Sequence, residues 1–114
     1  MSTLIQKSCR PLDKGTPPLS NDKIVELLKE IHQDWQHQPN PPELQRIFKF
    51  RNYYQTIGFV NALAWIAHQE DHHPELEVSY NRCVVHYSTH SIGGISENDF
   101  ICASKIDRLM NNAL

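Results

Sequence analysis

The chain has 114 residues and a mass of 13.2 kDa, the size of one ordinary domain. Hydrophobic residues make up 39% and charged residues 21%, enough apolar material for a core and unlike a disordered chain. Eleven Lys and Arg against thirteen Asp and Glu leave a net charge of −2, which argues against a general affinity for nucleic-acid backbones or anionic lipid.

No run approaches the ~20 apolar residues a membrane span needs, and residues 1–9 lack the apolar region of a signal peptide. The three cysteines, Cys9, Cys83 and Cys102, are odd in number and widely spaced. A disulfide framework is therefore not expected, and the cytoplasm is the expected location.

Residues 1–19 show no hydrophobic period and contain Pro11, Gly15, Pro17 and Pro18, so they read as an irregular arm before a single domain over 20–114. Ser20 is the expected N-cap of a first helix, with Leu19 and Ile24 placed as a hydrophobic staple. Ile24, Leu27, Leu28 and Ile31 follow the i, i+3, i+4, i+7 spacing of one buried stripe. The prolines around Asn40 end helical possibilities, so 35–38 reads as a short strand before a turn, and 44–51 as a second strand. Residues 53–71 form the strongest helix, with Phe59, Val60, Leu63, Ile66 and Ala67 on its apolar face and Pro74 as its limit. Leu76, Val78 and Tyr80 alternate with polar residues, as do Cys83, Val85 and Tyr87 after an Asn81-Arg82 turn, which predicts a hairpin. Gly93 and Gly94 break the chain, and a last helix is expected from Ser96, with Cys102, Ala103, Ile106, Leu109 and Met110 inward. The order helix, two strands, helix, two strands, helix predicts an α+β layer, a mostly antiparallel sheet with helices on one face.

Histidines are the chemical surplus, seven in all. Asp71-His72-His73-Pro74 falls where the long helix must stop, and Ser88-Thr89-His90 where the second hairpin strand stops. Both ends can lie at one edge of a two-layer fold. Imidazole titrates near pH ~6.5, so converging histidines can give and take protons at neutral pH. A lone histidine at a helix end more often only caps carbonyls or favours the helix dipole. His68 and His72, four apart, could instead be zinc ligands with His90 as a third, but helices carry such pairs by chance. Asp99 has a structural explanation as the acid of a capping box opened by Ser96. Trp35 is expected in the core, where an indole can also serve as a ligand platform, and Cys83 and Cys102 read as inert core thiols.

Taken together, Asp71-His72-His73-Pro74-Glu75, Tyr80-Asn81, Ser88-Thr89-His90, Gly94-Ile95-Ser96-Glu97-Asn98-Asp99 and Ala103-Ser104-Lys105-Ile106-Asp107 resemble the pterin-4a-carbinolamine dehydratases. The likeness extends through Trp35, Phe48-Lys49-Phe50 and Phe59-Val60, and the Cys9-Arg10-Pro11 arm resembles bacterial members. It implies a four-stranded antiparallel sheet with three helices packed on one face, in dimers or tetramers. It also implies dehydration of 4a-hydroxytetrahydrobiopterin to the quinonoid dihydropterin, without metal or organic cofactor, in the service of an aromatic amino acid hydroxylase. By motif match His72, His73 and His90 are the active-site histidines and Asp99 the acid that supports them. Trp35, Asp71, Pro74, Ser88 and Thr89 match positions around the pterin. Two departures stand out: many members have Glu in place of His68, and many bacterial ones have a second Cys in place of Leu12, which leaves Cys9 without a near partner. The expected chemistry has His72 or His90 protonating the departing hydroxyl while another of the three accepts a ring proton. The rivals are an interaction module that stabilises a partner protein, betrayed by a stable partner without dehydratase activity, and a metal-binding histidine protein, betrayed by stoichiometric zinc.

Overall fold

The computed structural model describes residues 3–111. Three α-helices and a four-stranded antiparallel sheet account for the regular structure: α1 (Asn21–Leu28), β1 (Gln36–Pro39), β2 (Pro42–Lys49), α2 (Tyr53–Glu70), β3 (Glu75–Ser79), β4 (Arg82–Tyr87) and α3 (Glu97–Asn111). Short 3-10 turns lie at Leu4–Gln6 and His90–Ile92. No helix among these residues is long and apolar enough to cross a membrane.

Two hairpins, β1-β2 and β3-β4, join through their second strands, so the sheet order is β1-β2-β4-β3. Period-two alternation gives each central strand an apolar inner side. Leu44 and Phe48 of β2 and Cys83, Val85 and Tyr87 of β4 point toward the helices and are almost fully buried. The opposite side carries Glu43, Gln45 and Lys49 of β2, Glu75 and Glu77 of β3, and His86 of β4. Against the inner side pack Ile24 and Leu27 of α1, Phe59 and Leu63 of α2, and Phe100, Ala103 and Ile106 of α3. Each large apolar side chain buried this way stabilises the fold by about 1.5–3 kcal/mol. Phe48 stacks on Phe59 with ring centroids 4.5 Å apart, which anchors α2 to the sheet.

The element order and helix positions agree with the sequence reading, with four differences in detail. Ser20 caps α1 by accepting the Lys23 N–H at 3.2 Å, but the helix ends at Leu28. Ile31 is buried beyond it, after a tight turn in which the Glu30 N–H bonds the Leu27 carbonyl. The first hairpin runs Gln36 to Pro39 and returns from Pro42, because Pro39 pairs with Pro42 across a two-residue turn. The second hairpin turns at Tyr80-Asn81, since Ser79 pairs with Arg82. Finally, the N-terminal arm is docked: Leu4 is 1% exposed, and its turn packs on α3. Residues 98–104 are buried in succession, because the sheet, α2 and this arm surround α3.

Gly93 and Gly94 carry a specific load. Gly93 has φ +70, and a Cβ on Gly94 would lie 2.8 Å from Pro18 Cβ. The arm thus presses against the loop that follows β4, and the Leu19 N–H bonds the Ile95 carbonyl at 2.9 Å. Thr89 closes the same loop with a backbone bridge to Gly94.

Candidate active site

Helix α2 ends by reversing, and that reversal sorts the paired histidines. The Asp71 N–H bonds the His68 carbonyl at 3.2 Å and the His72 N–H bonds the Ala67 carbonyl at 3.0 Å, the Schellman arrangement. Asp71 occupies the left-handed position (φ 52, ψ 44) that glycine usually takes. An L-residue there costs about 1 kcal/mol, least for Asn and Asp. After this turn His72 points inward and His73 outward. The His72 side chain is 14% exposed. Its ring lies on Tyr87, centroids 5.1 Å apart, and its carbonyl accepts the Tyr87 hydroxyl at 3.0 Å.

The partner of His72 is Asp99, whose side chain is 0% exposed. The His72 Nε2 to Asp99 Oδ1 distance is 2.6 Å. The other carboxylate oxygen, Oδ2, accepts the Ser96 N–H at 2.9 Å and the Thr89 hydroxyl at 3.0 Å. Thr89 Oγ1 and Ser96 Oγ are 2.7 Å apart. Because the Thr89 proton goes to Asp99, Ser96 donates to Thr89. Ser96 Oγ in turn accepts the Asn98 N–H at 3.2 Å. Asp99 therefore both closes the capping box of α3 and holds an imidazole, one role on each oxygen. The capping explanation and the site explanation are compatible, because a carboxylate accepts on both sides.

This arrangement sets the charge on His72. Burial pulls its pKa down, but the Asp99 hydrogen bond and charge, with smaller contributions from Cys102 and Asp71, outweigh burial and push it above 6.5. Since Nε2 is committed to Asp99, any proton exchanged with a ligand passes through Nδ1. Among the described residues no hydrogen bond engages that atom.

His73 and His90 are exposed and line separate clefts. One, of about 380 Å³, takes His73 with His68, Asp71, Pro74 and an apolar wall including Leu63 and Leu76. The other, of about 210 Å³, takes His90 with Ser88, Thr89, Glu43, Glu75 and the two glycines. Pro74 belongs to the first and its neighbour Glu75 to the second, and His72 lines neither. The carboxylate of Asp99 is the node joining the two histidine-bearing segments, since it binds His72 on one and Thr89 on the other.

Trp35 lines neither cleft. It is buried, edge-on to Phe48, and donates its indole N–H to Asp107 Oδ1 at 2.7 Å. Arg46, stacked 4.2 Å above the Phe48 ring, reaches the same oxygen at 2.5 Å. The His32 N–H takes the other oxygen at 2.9 Å. The His68–His72 pair does not face one way either. The helix stops at Glu70, His68 stacks near Trp65 with centroids 5.6 Å apart, and His72 lies past the reversal. Among the described residues no group of three or more His, Cys, Asp or Glu is arranged to hold a metal ion.

Sequence reasoning missed His86, which stands between Glu43 and Glu77 on the open side of the sheet. The Glu77 contact is 2.5 Å. Burial opposes charge on His86, yet the two carboxylates outweigh it and raise its pKa. It also left Cys9 without a partner, whereas Cys9 Sγ lies 3.6 Å from Cys102 Sγ. Period-two alternation assigns His86 to a face but says nothing of its diagonal neighbours, and no periodicity links Cys9 to Cys102.

Comparison with known proteins places this geometry in a class. Residues 17–109 match the family model of pterin 4 alpha carbinolamine dehydratase. A relative from Nitrosomonas eutropha named for pterin-4-alpha-carbinolamine dehydratase is 53% identical over 107 residues, covering 94% of this chain and 93% of the relative. One from Xylella fastidiosa with the same name is 50% identical over 112 residues, covering 98% and 96%. The solved structure of a transcriptional coactivator/pterin dehydratase from Brucella melitensis superposes with a TM-score of 0.75 at 33% identity, covering 80% of this chain and 96% of that one. The chain belongs to the pterin 4 alpha carbinolamine dehydratase family.

Proposed function

We propose that this protein dehydrates 4a-hydroxytetrahydrobiopterin to the quinonoid dihydropterin, with His72, His73 and His90 as the proton-transfer groups and Asp99 as their support. In this reading the imidazolium of His72, favoured by Asp99, gives its Nδ1 proton to the 4a-hydroxyl. The C4a–O bond breaks, water leaves, and a ring-nitrogen electron pair forms the new C=N bond. A neutral imidazole, His73 or His90, accepts the proton that the nitrogen sheds. General acid–base assistance of ~10²–10⁴-fold is enough for a reaction that also proceeds unaided. Asp71, Pro74, Ser88 and Thr89 border the clefts in which the pterin would lie, while Trp35 is left with a structural role.

The observation that carries the reading is the single buried carboxylate shared by the His72 and Thr89-His90 segments, in a chain of this family. Service to an aromatic amino acid hydroxylase in the cytoplasm, as a homodimer or homotetramer, belongs to the same proposal. The test is to add purified protein to a hydroxylase in turnover and follow the 4a-carbinolamine absorbance. Faster decay than the spontaneous rate supports dehydration. An unchanged rate with a stable protein partner recovered instead favours an interaction module, in line with the coactivator part of the Brucella protein's name.

A further inference from the structure

Cys9 and Cys102 are separated by 93 positions, yet their sulfur atoms are 3.6 Å apart. A disulfide needs about 2.05 Å, so the sulfurs must close by roughly 1.5 Å. The approach is built rather than incidental. The Cys9 N–H donates to Glu70 Oε1 at 2.7 Å, and Arg10 exchanges two hydrogen bonds with the Asn98 side chain at 3.1 and 2.8 Å. These contacts hold the arm across the end of α2 and the start of α3, with the Cys9 thiol resting 3.5 Å from the Asn98 carbonyl. Cys9 is half-buried and Cys102 is buried. Cys102 stands one turn after Asp99, its sulfur 3.9 Å from the His72 carbonyl.

The two thiols are also electrostatically unequal. Its hydrogen bond to Cys102, then burial, and then the charges of Cys102 and Glu70 push the pKa of Cys9 up. The same hydrogen bond lowers the pKa of Cys102, helped by Tyr87 and His72 against the opposing effect of burial. Cys102 is thus the more readily ionised sulfur of the pair, and Cys9 the more accessible one. Cys83, buried on the sheet with its thiol pushed up to about 11 by desolvation, is a bystander.

We propose that Cys9 and Cys102 form a dithiol site that a peroxide oxidises to an internal disulfide, fixing the N-terminal arm covalently to α3. The half-buried Cys9 sulfur, whose proton passes to ionised Cys102 across their 3.6 Å contact, attacks hydrogen peroxide and becomes a sulfenic acid, releasing one water. The Cys102 sulfur then attacks it and expels the second water. Two S–H bonds are lost and one S–S bond forms; the two electrons cleave the O–O bond, and both protons leave in water. The link closes a loop of most of the chain, which restricts the unfolded state strongly. It does not depend on the dehydratase reading.

The full chain, reduced and freed of reductant, is treated in its native state with a small excess of hydrogen peroxide, then alkylated in denaturant. The expected product loses about two mass units before alkylation and keeps one alkylatable thiol. It yields a Cys9–Cys102 cross-linked peptide, reverts with dithiothreitol, and melts about 5 °C or more above the reduced protein. Cys9→Ser, a change at a half-exposed position, should melt with the reduced wild type and show no mass loss. Three alkylatable thiols after peroxide, oxygen added at either sulfur without a link, or a cross-link between chains would each overturn the proposal.

Discussion

Replacing Asp99 by Asn tests the node of the site with almost no change of shape. The amide oxygen can still accept from the Ser96 N–H and the Thr89 hydroxyl, now 2.9 and 3.0 Å from Oδ2. That leaves the amide NH₂ facing His72 Nε2, at the 2.6 Å position of Oδ1. An NH₂ only donates, so Nε2 must become an acceptor, the ring proton moves to Nδ1, and the imidazolium loses its counter-charge. Hydrogen bonds to charged groups contribute about 1.5–3 kcal/mol, so we expect Asp99→Asn to lose about 2 kcal/mol of stability and ten- to hundredfold in turnover per folded molecule. The pH dependence has a defined sign. His72 holds its proton more tightly folded than at its ordinary 6.5, so this stabilisation is complete below that value and fades as pH rises through the folded pKa. The melting gap between wild type and Asp99→Asn should therefore be wider at pH 6 than at pH 9. Ser96→Ala, which removes the cap oxygen, should lose about 1 kcal/mol and spare turnover. Stopped-flow decay of the carbinolamine and melting curves at both pH values decide the matter. Wild-type turnover per folded Asp99→Asn molecule, or a gap that widens with pH, refutes the reasoning.

His90→Ala should lower turnover at least tenfold with a melting temperature within about a degree of wild type, because the side chain is exposed; unchanged turnover removes His90 from the site. His72→Ala should lose both activity and about 3 kcal/mol, since it strands a fully buried carboxylate, and denaturant titration would measure this. Asp107→Ala should lose about 3–5 kcal/mol by orphaning buried Arg46 and the Trp35 indole, while turnover per folded molecule stays near wild type; a selective loss of turnover would return Trp35 to the pterin pocket. Prolonged chelation should leave turnover and melting temperature unchanged, and a loss restored by zinc would establish a metal site.

Much of this protein is legible in local sequence. Period two placed Cys83, Val85 and Tyr87 inward, and the 3.6-residue period did the same for Phe59 and Leu63, because each repeat is the geometry of one element. Pro74 fixed the end of α2 within a few residues. The motif resemblance pointed to His72, His73, His90 and Asp99 together. What it could not give was their unequal surroundings, since adjacent histidines diverge only after the left-handed turn at Asp71 aims one inward and one out.

Tertiary structure alone decided which distant groups meet. Trp35 and Asp107 are 72 positions apart, Cys9 and Cys102 are 93, and Glu43 and His86 are 43. Periodicity reports which side of an element a residue faces, a property set by dihedral angles within a few residues. Which partner waits there depends on sheet order, register and helix docking, and these follow from burying the whole apolar surface at once. Local sequence thus determined the elements and the chemical types at their ends. The shared use of Asp99, with one oxygen for the helix cap and the other for His72, exists only once α2, β4 and α3 are packed together.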